Sequence, residues 1–204
     1  MPRYLPDELE QLVERQANQH GTVAFLTQRR HNRLREMWCA AKFSRGYERS
    51  FGGCQVDIEL NDEQREFDFH LVLPTTAPLP FQVFEVLDAG RRRSAEFRDQ
   101  GLPEGNSAPA PLRARSSLYP ARRLHDELAK KVAKRYAGSR NLHLLAYLNL
   151  NAGSLPWASL ASAAEFAAPS FASIWAVTHH LVTCLHGGTR WAGKIHWKAI
   201  ESAA

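Results

Sequence analysis

Residues 67–93, FDFHLVLPTTAPLPFQVFEVLDAGRRR, hold the stretch on which the reading of this chain turns. Alternation in FDFHLVL sends Phe67, Phe69, Leu71 and Leu73 one way and Asp68, His70 and Val72 the other, the period of a β-strand. After the turn-rich TTAPLP, the stretch PFQVFEVL puts Gln82, Phe84 and Val86 on one side and Phe81, Val83, Glu85 and Leu87 on the other. Each side of this second strand carries apolar bulk plus one polar group. Strands apolar on both faces belong inside a sheet that is covered on both sides. Asp68, Gln82 and Glu85 are then expensive to bury unless a metal, hydrogen bonds or a cleft satisfies them. The other reading places them at strand ends, in water.

Working outward, an acidic start at Pro6 or Asp7 precedes Leu9, Leu12 and Val13 on one helical face. A longer helix is expected from about Val23 to Arg45, with Leu26, Leu34, Met37, Trp38 and Ala41 as its stripe and Glu36 nearly opposite. Gly46 and the Gly52-Gly53 pair mark its exit. QVDIEL, residues 55–60, alternates as a strand, and the acidic NDEQRE joins it to FDFHLVL as a hairpin. Residues 88–118 turn to Gly, Pro, Ser, Arg and Ala around GLPEGNSAPAP, a long loop that opens on Arg91, Arg92 and Arg93. A helix over residues 121–137 shows the stripe Leu124, Leu128, Val132 and Tyr136. Its flank carries Glu127 and Lys131, an i, i+4 pair, with Lys130 and Lys134 towards water. LHLLAYLNL, residues 142–150, is too apolar for an edge and reads as a central strand. Residues 155–168 read as a helix that stops at Pro169, and SIWAVTHH as a strand with LVTCLHGG as its hairpin partner. One helix over 171–185 is the alternative, and the tail with Trp191 and Trp197 is ambiguous.

The 204 residues, 44% hydrophobic, suffice for a sizeable core and suggest one domain, 1–204, with its core at about 23–187. The formal charge is +5, but residues 91–140 hold thirteen Lys or Arg against five Asp or Glu, which concentrates +8 there. A polyanion is a plausible partner for that quarter, and a solvated face is the plain alternative. Cys39, Cys54 and Cys184 are odd in number and without a CxxC, so neither a disulfide framework nor a standard zinc site is signalled. The acidic start lacks an apolar core and no late stretch is long enough to span a membrane, so a cytoplasmic protein is expected.

The order helix, helix, three strands, loop, helix, central strand, helix, strand describes an α/β fold, a mixed central sheet flanked by helices. This order over roughly 23–179, with Asp68 in the second strand and Gln82-Val83-Phe84 in the third, resembles the PD-(D/E)XK superfamily of restriction-endonuclease-like nucleases. The resemblance implies a restriction-endonuclease-like core. It places Asp68 at the metal-binding aspartate and Gln82 where the family has Glu, while Phe84 stands where it has Lys. Lys131 is then the candidate for a lysine moved to the following helix, Glu85 for the missing acid if a bulge turns it inward, and Glu36 for an acid from the long helix. Mg²⁺ or Mn²⁺ would be held by Asp68 and Gln82, because hard cations choose oxygen ligands and activate water for phosphodiester cleavage. Arg91, Arg92, Arg93, Lys130 and Lys134 would contact DNA or RNA.

Three functions follow as expectations: a metal-dependent nuclease, a catalytically inactive relative that binds nucleic acid, or a protein-interaction scaffold. The histidines, with His179 and His180 adjacent and His70, His125, His143 and His186 scattered on apolar elements, read as core or surface residues. No Gly-rich phosphate loop is present, since Gly52-Gly53 lacks the lysine and helix that such a loop needs.

Overall fold

The computed structural model describes residues 1–21, 24, 28, 31–58, 67–89, 118–136, 138–150, 155–187 and 198–200. Over these residues the chain forms one mixed sheet of eight strands whose spatial order follows the sequence. The strands are β1 (Arg3–Tyr4), β2 (Gln55–Ile58), β3 (Phe69–Val72), β4 (Leu79–Leu87), β5 (His143–Asn149), β6 (Ser173–Val177), β7 (Leu181–His186) and β8 (Lys198–Ala199). The four longer helices are α1 (Pro6–His20), α2 (Asn32–Phe51), α3 (Tyr119–Ala133) and α4 (Trp157–Ala164). β4, β5 and β6 run parallel, and every other pairing is antiparallel. The parallel pairs require crossovers, and α3 and α4 are the helices that supply them.

Both faces of the sheet are covered, as the doubly apolar strands require. On one face α1 and α2 bury Leu9, Val13, Met37, Ala41 and Phe43 against Phe69, Phe81, Leu145 and Trp175. On the other, α3 and α4 bury Leu124, Leu128 and Leu160 against Phe84, Val86, Leu144, Ala146 and Ile174. Alternation along β4 therefore sends Gln82 towards α3 and Glu85 towards α2. A row of rings fixes the register. Phe69 pairs with Phe81 and stacks on it at 5.0 Å, and Phe81 pairs with His143 at 4.8 Å. His143 Nδ1 is 2.6 Å from Ser173 Oγ on β6, which also accepts from Trp175 Nε1 at 2.8 Å. A slip by one residue would turn all these rings to the wrong face.

Several boundaries differ from the sequence reading. The long helix starts at Asn32 and runs to Phe51, beyond Arg45, and Leu26 lies outside the described residues. Gly46 is inside it. A Cβ at Gly46 would lie 2.1 Å from Cγ1 of Val182, so glycine is there to let α2 approach β7, not to end the helix. The exit is Gly52, at φ 98°, whose N–H reaches Glu48 O at 2.8 Å. α3 stops at Ala133, and Tyr136 follows Arg135 at φ 49°. Residues 173–177 and 181–186 form a hairpin, which removes the single-helix alternative. His179 and His180 sit in its turn, both exposed, not within a strand. The two-residue β1 has no counterpart in the sequence reading; Arg3 ties it to β2 through a two-pronged bond to Asp57 at 2.6 and 2.9 Å.

α1 begins on Pro6, with Leu5 N–H donating to Glu8 Oε2 at 2.9 Å. It is fastened to α2 by buried charge, with Glu10 accepting from Lys42 and lying 3.3 Å from Arg45 Nε, while Arg45 also meets Asp7. Among the described residues no helix is long and apolar enough to cross a membrane.

Candidate functional site

Asp68 stands one residue before β3, where the strand reading gives way to an end position. Its N–H donates to Phe81 O at 2.7 Å, and its Oδ2 accepts from Val83 N–H at 2.7 Å. Asp68 is thus pinned to β4 on either side of Gln82, by its own N–H at Phe81 and by its carboxylate at Val83. From α3, Lys131 Nζ donates to Gln82 Oε1 at 3.1 Å and lies 5.5 Å from the centre of the Phe84 ring. From α2, Arg33 Nη2 donates to Asp68 O at 2.7 Å, and its Nη1 donates to Glu36 Oε2 at 3.0 Å and is 3.9 Å from Asp68 Oδ1. The head of β3, the middle of β4 and the facing sides of two helices so converge on one acid–base cluster.

Burial sets its electrostatics. Desolvation pushes the Asp68 carboxyl up to about 6, and the Glu36 charge adds to this. The Val83 N–H, Arg33 and Lys131 pull it back. Lys131 is driven down to about 8, first by burial and then by Lys134, against the opposing charges of Asp68, Glu36 and Glu127. An acid and a base on either side of one amide are therefore both brought towards neutrality, a frequent mark of functional sites.

The expected residues separate into three groups. Asp68, Gln82 and Lys131 come together, joined by Glu36. Glu85 does not join them: β4 and β5 keep an unbroken register from Phe81 to Leu87, so no bulge turns Glu85 towards α3. It accepts instead from Asn149 Nδ2 at 2.8 Å on the α2 side, where it lines a small cavity of about 150 Å³ with Glu36, Val83 and Tyr147. Lys130 on α3 and Lys134 just past its end are exposed, Lys130 bonded to Glu127 at 2.7 Å. Arg91, Arg92, Arg93 and most of the 88–118 loop lie outside the described residues. Arg33 was not singled out from sequence; the available signal was its place one helical turn before Glu36 on the same face.

The cluster does not fit Mg²⁺ or Mn²⁺. Asp68 Oδ2 is taken by the Val83 N–H and Gln82 Oε1 by Lys131, and Arg33 occupies the approach to Oδ1. Octahedral dications want several unengaged oxygens. Among the described residues, no group of three or more His, Cys, Asp or Glu is placed to hold a metal ion.

No protein-family model and no curated protein matches the chain. A solved structure of a Pseudomonas aeruginosa PAO1 protein of unknown function, described as belonging to the monooxygenase superfamily, is similar over 90% of this chain and 86% of its own. The identity is 22% and the TM-score 0.49, a likeness that transfers no activity. The resemblance to PD-(D/E)XK nucleases is corrected: no family model supports the motif. In the chain itself the motif lysine is the buried Phe84, and Gln82 replaces the acid and is spent on Lys131. The metal-dependent cleavage of DNA or RNA and the inactive-relative alternative fall with it, and the fold stands as a mixed α/β sheet flanked by helices.

Proposed function

We propose that the chain binds a small anionic substrate beside α3 and transfers a proton to or from it at Asp68. The observation that supports this reading is the meeting of Lys131 and Asp68 on either side of Gln82, with the lysine lowered to about 8 and the carboxyl raised to about 6. A donor and an acceptor that titrate near neutrality exchange protons with the smallest mismatch in driving force.

The residues divide the work. Gln82 fixes the Lys131 ammonium at the cluster, and Lys134 adds positive potential that favours an anionic oxygen there. Asp68, held by the Val83 N–H, keeps its orientation in either protonation state, because one oxygen remains an acceptor. Above about pH 6 it takes a proton from the substrate, and below that it delivers one.

Inorganic phosphate is a suitable probe. Backbone amide spectra should show saturable changes at Gln82, Val83 and Lys131, and these should be lost in Lys131→Gln. Changes confined to exposed Lys130, Lys134 and Arg135, or no changes at all, would overturn the assignment of the site.

A further inference from the structure

We propose that Arg33 is the positioning residue that holds Glu36 beside Asp68, so that the Glu36 charge helps keep a proton on Asp68. This deepens the proton-transfer reading and rests on it.

The geometry is that of a clamp. Arg33 and Glu36 are three residues apart on α2 and so share a face. One guanidinium nitrogen, Nη1, serves both acids, at 3.0 Å from Glu36 Oε2 and 3.9 Å from Asp68 Oδ1. The other, Nη2, holds the Asp68 carbonyl at 2.7 Å, which fixes the backbone of the acid as well as its charge. A planar fork with several donors suits this task, whereas an ammonium would be a single point of charge. The three side chains are only 23%, 32% and 19% exposed for Arg33, Glu36 and Asp68, so the site is poorly screened.

Charge then argues for a proton held on Asp68. One guanidinium facing two carboxylates leaves a net charge of −1 in a half-buried place, and like charges on adjacent acids resist joint ionisation. Arg35 and Glu85 line the cavity that Glu36 borders, and among the described residues the other groups facing Asp68 are Lys131 from α3 and the Val83 N–H from β4. Both favour its ionised form, and burial together with Glu36 outweighs them. With Lys131 charged, the cluster is near +1 when Asp68 holds its proton and near neutral when it has released it. An anionic substrate is therefore received by protonated Asp68. The proton then moves from Asp68 to the substrate oxygen, and the return step restores it without any redox partner.

The test is a carbon-detected titration of the Asp68 carboxyl in wild type, Glu36→Gln, Arg33→Gln and Arg33→Lys. Removing the Glu36 charge should lower the Asp68 midpoint by about one pH unit, and Arg33→Gln should raise it by a similar amount. Arg33→Lys, which keeps the charge but loses the fork, should fall between wild type and Arg33→Gln. Midpoints within about 0.3 of wild type in both Glu36→Gln and Arg33→Gln would overturn this coupling. If Arg33→Gln fails to fold, Glu36→Gln decides alone. Phosphate binding at Lys131, measured in the same variants, separates the two claims. Binding without coupled titration removes only the coupling, while coupled titration without binding removes the substrate reading.

Discussion

Lys131 Nζ reaches across from α3 to Gln82 Oε1 at 3.1 Å, while Glu127, one turn back on the same helix, is taken by Lys130 at 2.7 Å and faces Arg123 at 3.4 Å. The i, i+4 pair that the spacing suggests is therefore not made. Lys131 is committed to the sheet, and its charge is carried without a carboxylate in contact.

That commitment has a stability consequence. Lys131 titrates at about 8 when folded and near 10.5 when free, so between those values the unfolded chain binds more protons and stability rises with pH. Lys131→Met should be more stable than wild type at pH 7, by up to about 3 kcal/mol, and the gain should vanish near pH 10.5. Urea denaturation at both pH values measures it.

Asp68 has the opposite dependence. Its folded value of about 6 lies above the ordinary 3.8, so the folded chain holds more protons in that window and loses stability as pH rises through it. Asp68→Asn, which still offers an oxygen to the Val83 N–H, should gain up to about 3 kcal/mol at pH 7 and nothing below pH 4. Denaturation midpoints across that range are the check.

Gly46→Ala should destabilise the fold by roughly 3 kcal/mol, although alanine is the better helix former, because its Cβ would collide with Val182. The double variant with Val182→Ala should recover part of the loss. Equal destabilisation in single and double variants, compared by thermal unfolding, would show that the contact is not the cause.

Glu10→Ala should lower stability by about 3 to 5 kcal/mol, since it strands buried Lys42 and takes one acid from buried Arg45, which keeps Asp7. Pairing Glu10→Leu with Lys42→Met should restore most of it. Chemical denaturation of the single and double variants tests this.

Much of the fold was legible because its strands are short, apolar and alternating. FDFHLVL and PFQVFEVL pair as a hairpin, residues 143–149 lie between two parallel neighbours, and LVTCLH returns against SIWAV. Helix ends were less legible. Gly46 looks like a stop but is a close approach to Val182, which only tertiary packing reveals. In the site, the side on which Lys131 lies followed from its helix flank, and Asp68 and Gln82 from costly polar positions beside apolar strands. Glu85 lies on the Phe81 and Val83 side that the alternation gives it, and the bulge that would have turned it inward is absent from β4. Arg33 went unnoticed since its partners are thirty-five residues away in Asp68 and only three away in Glu36. The nuclease resemblance rested on element order and a three-residue motif, too little to fix chemistry when the acid is an amide and the lysine a phenylalanine.

The protonation of Asp68 and Lys131 decides whether this cluster can transfer protons near neutrality. Nuclear magnetic resonance titration of the Asp68 carboxyl carbon and the Lys131 ε-carbon in the folded protein measures both at once. Midpoints near 6 and near 8 are predicted. Midpoints near the ordinary 3.8 and 10.5 would show two independent surface charges and contradict the proton-transfer site.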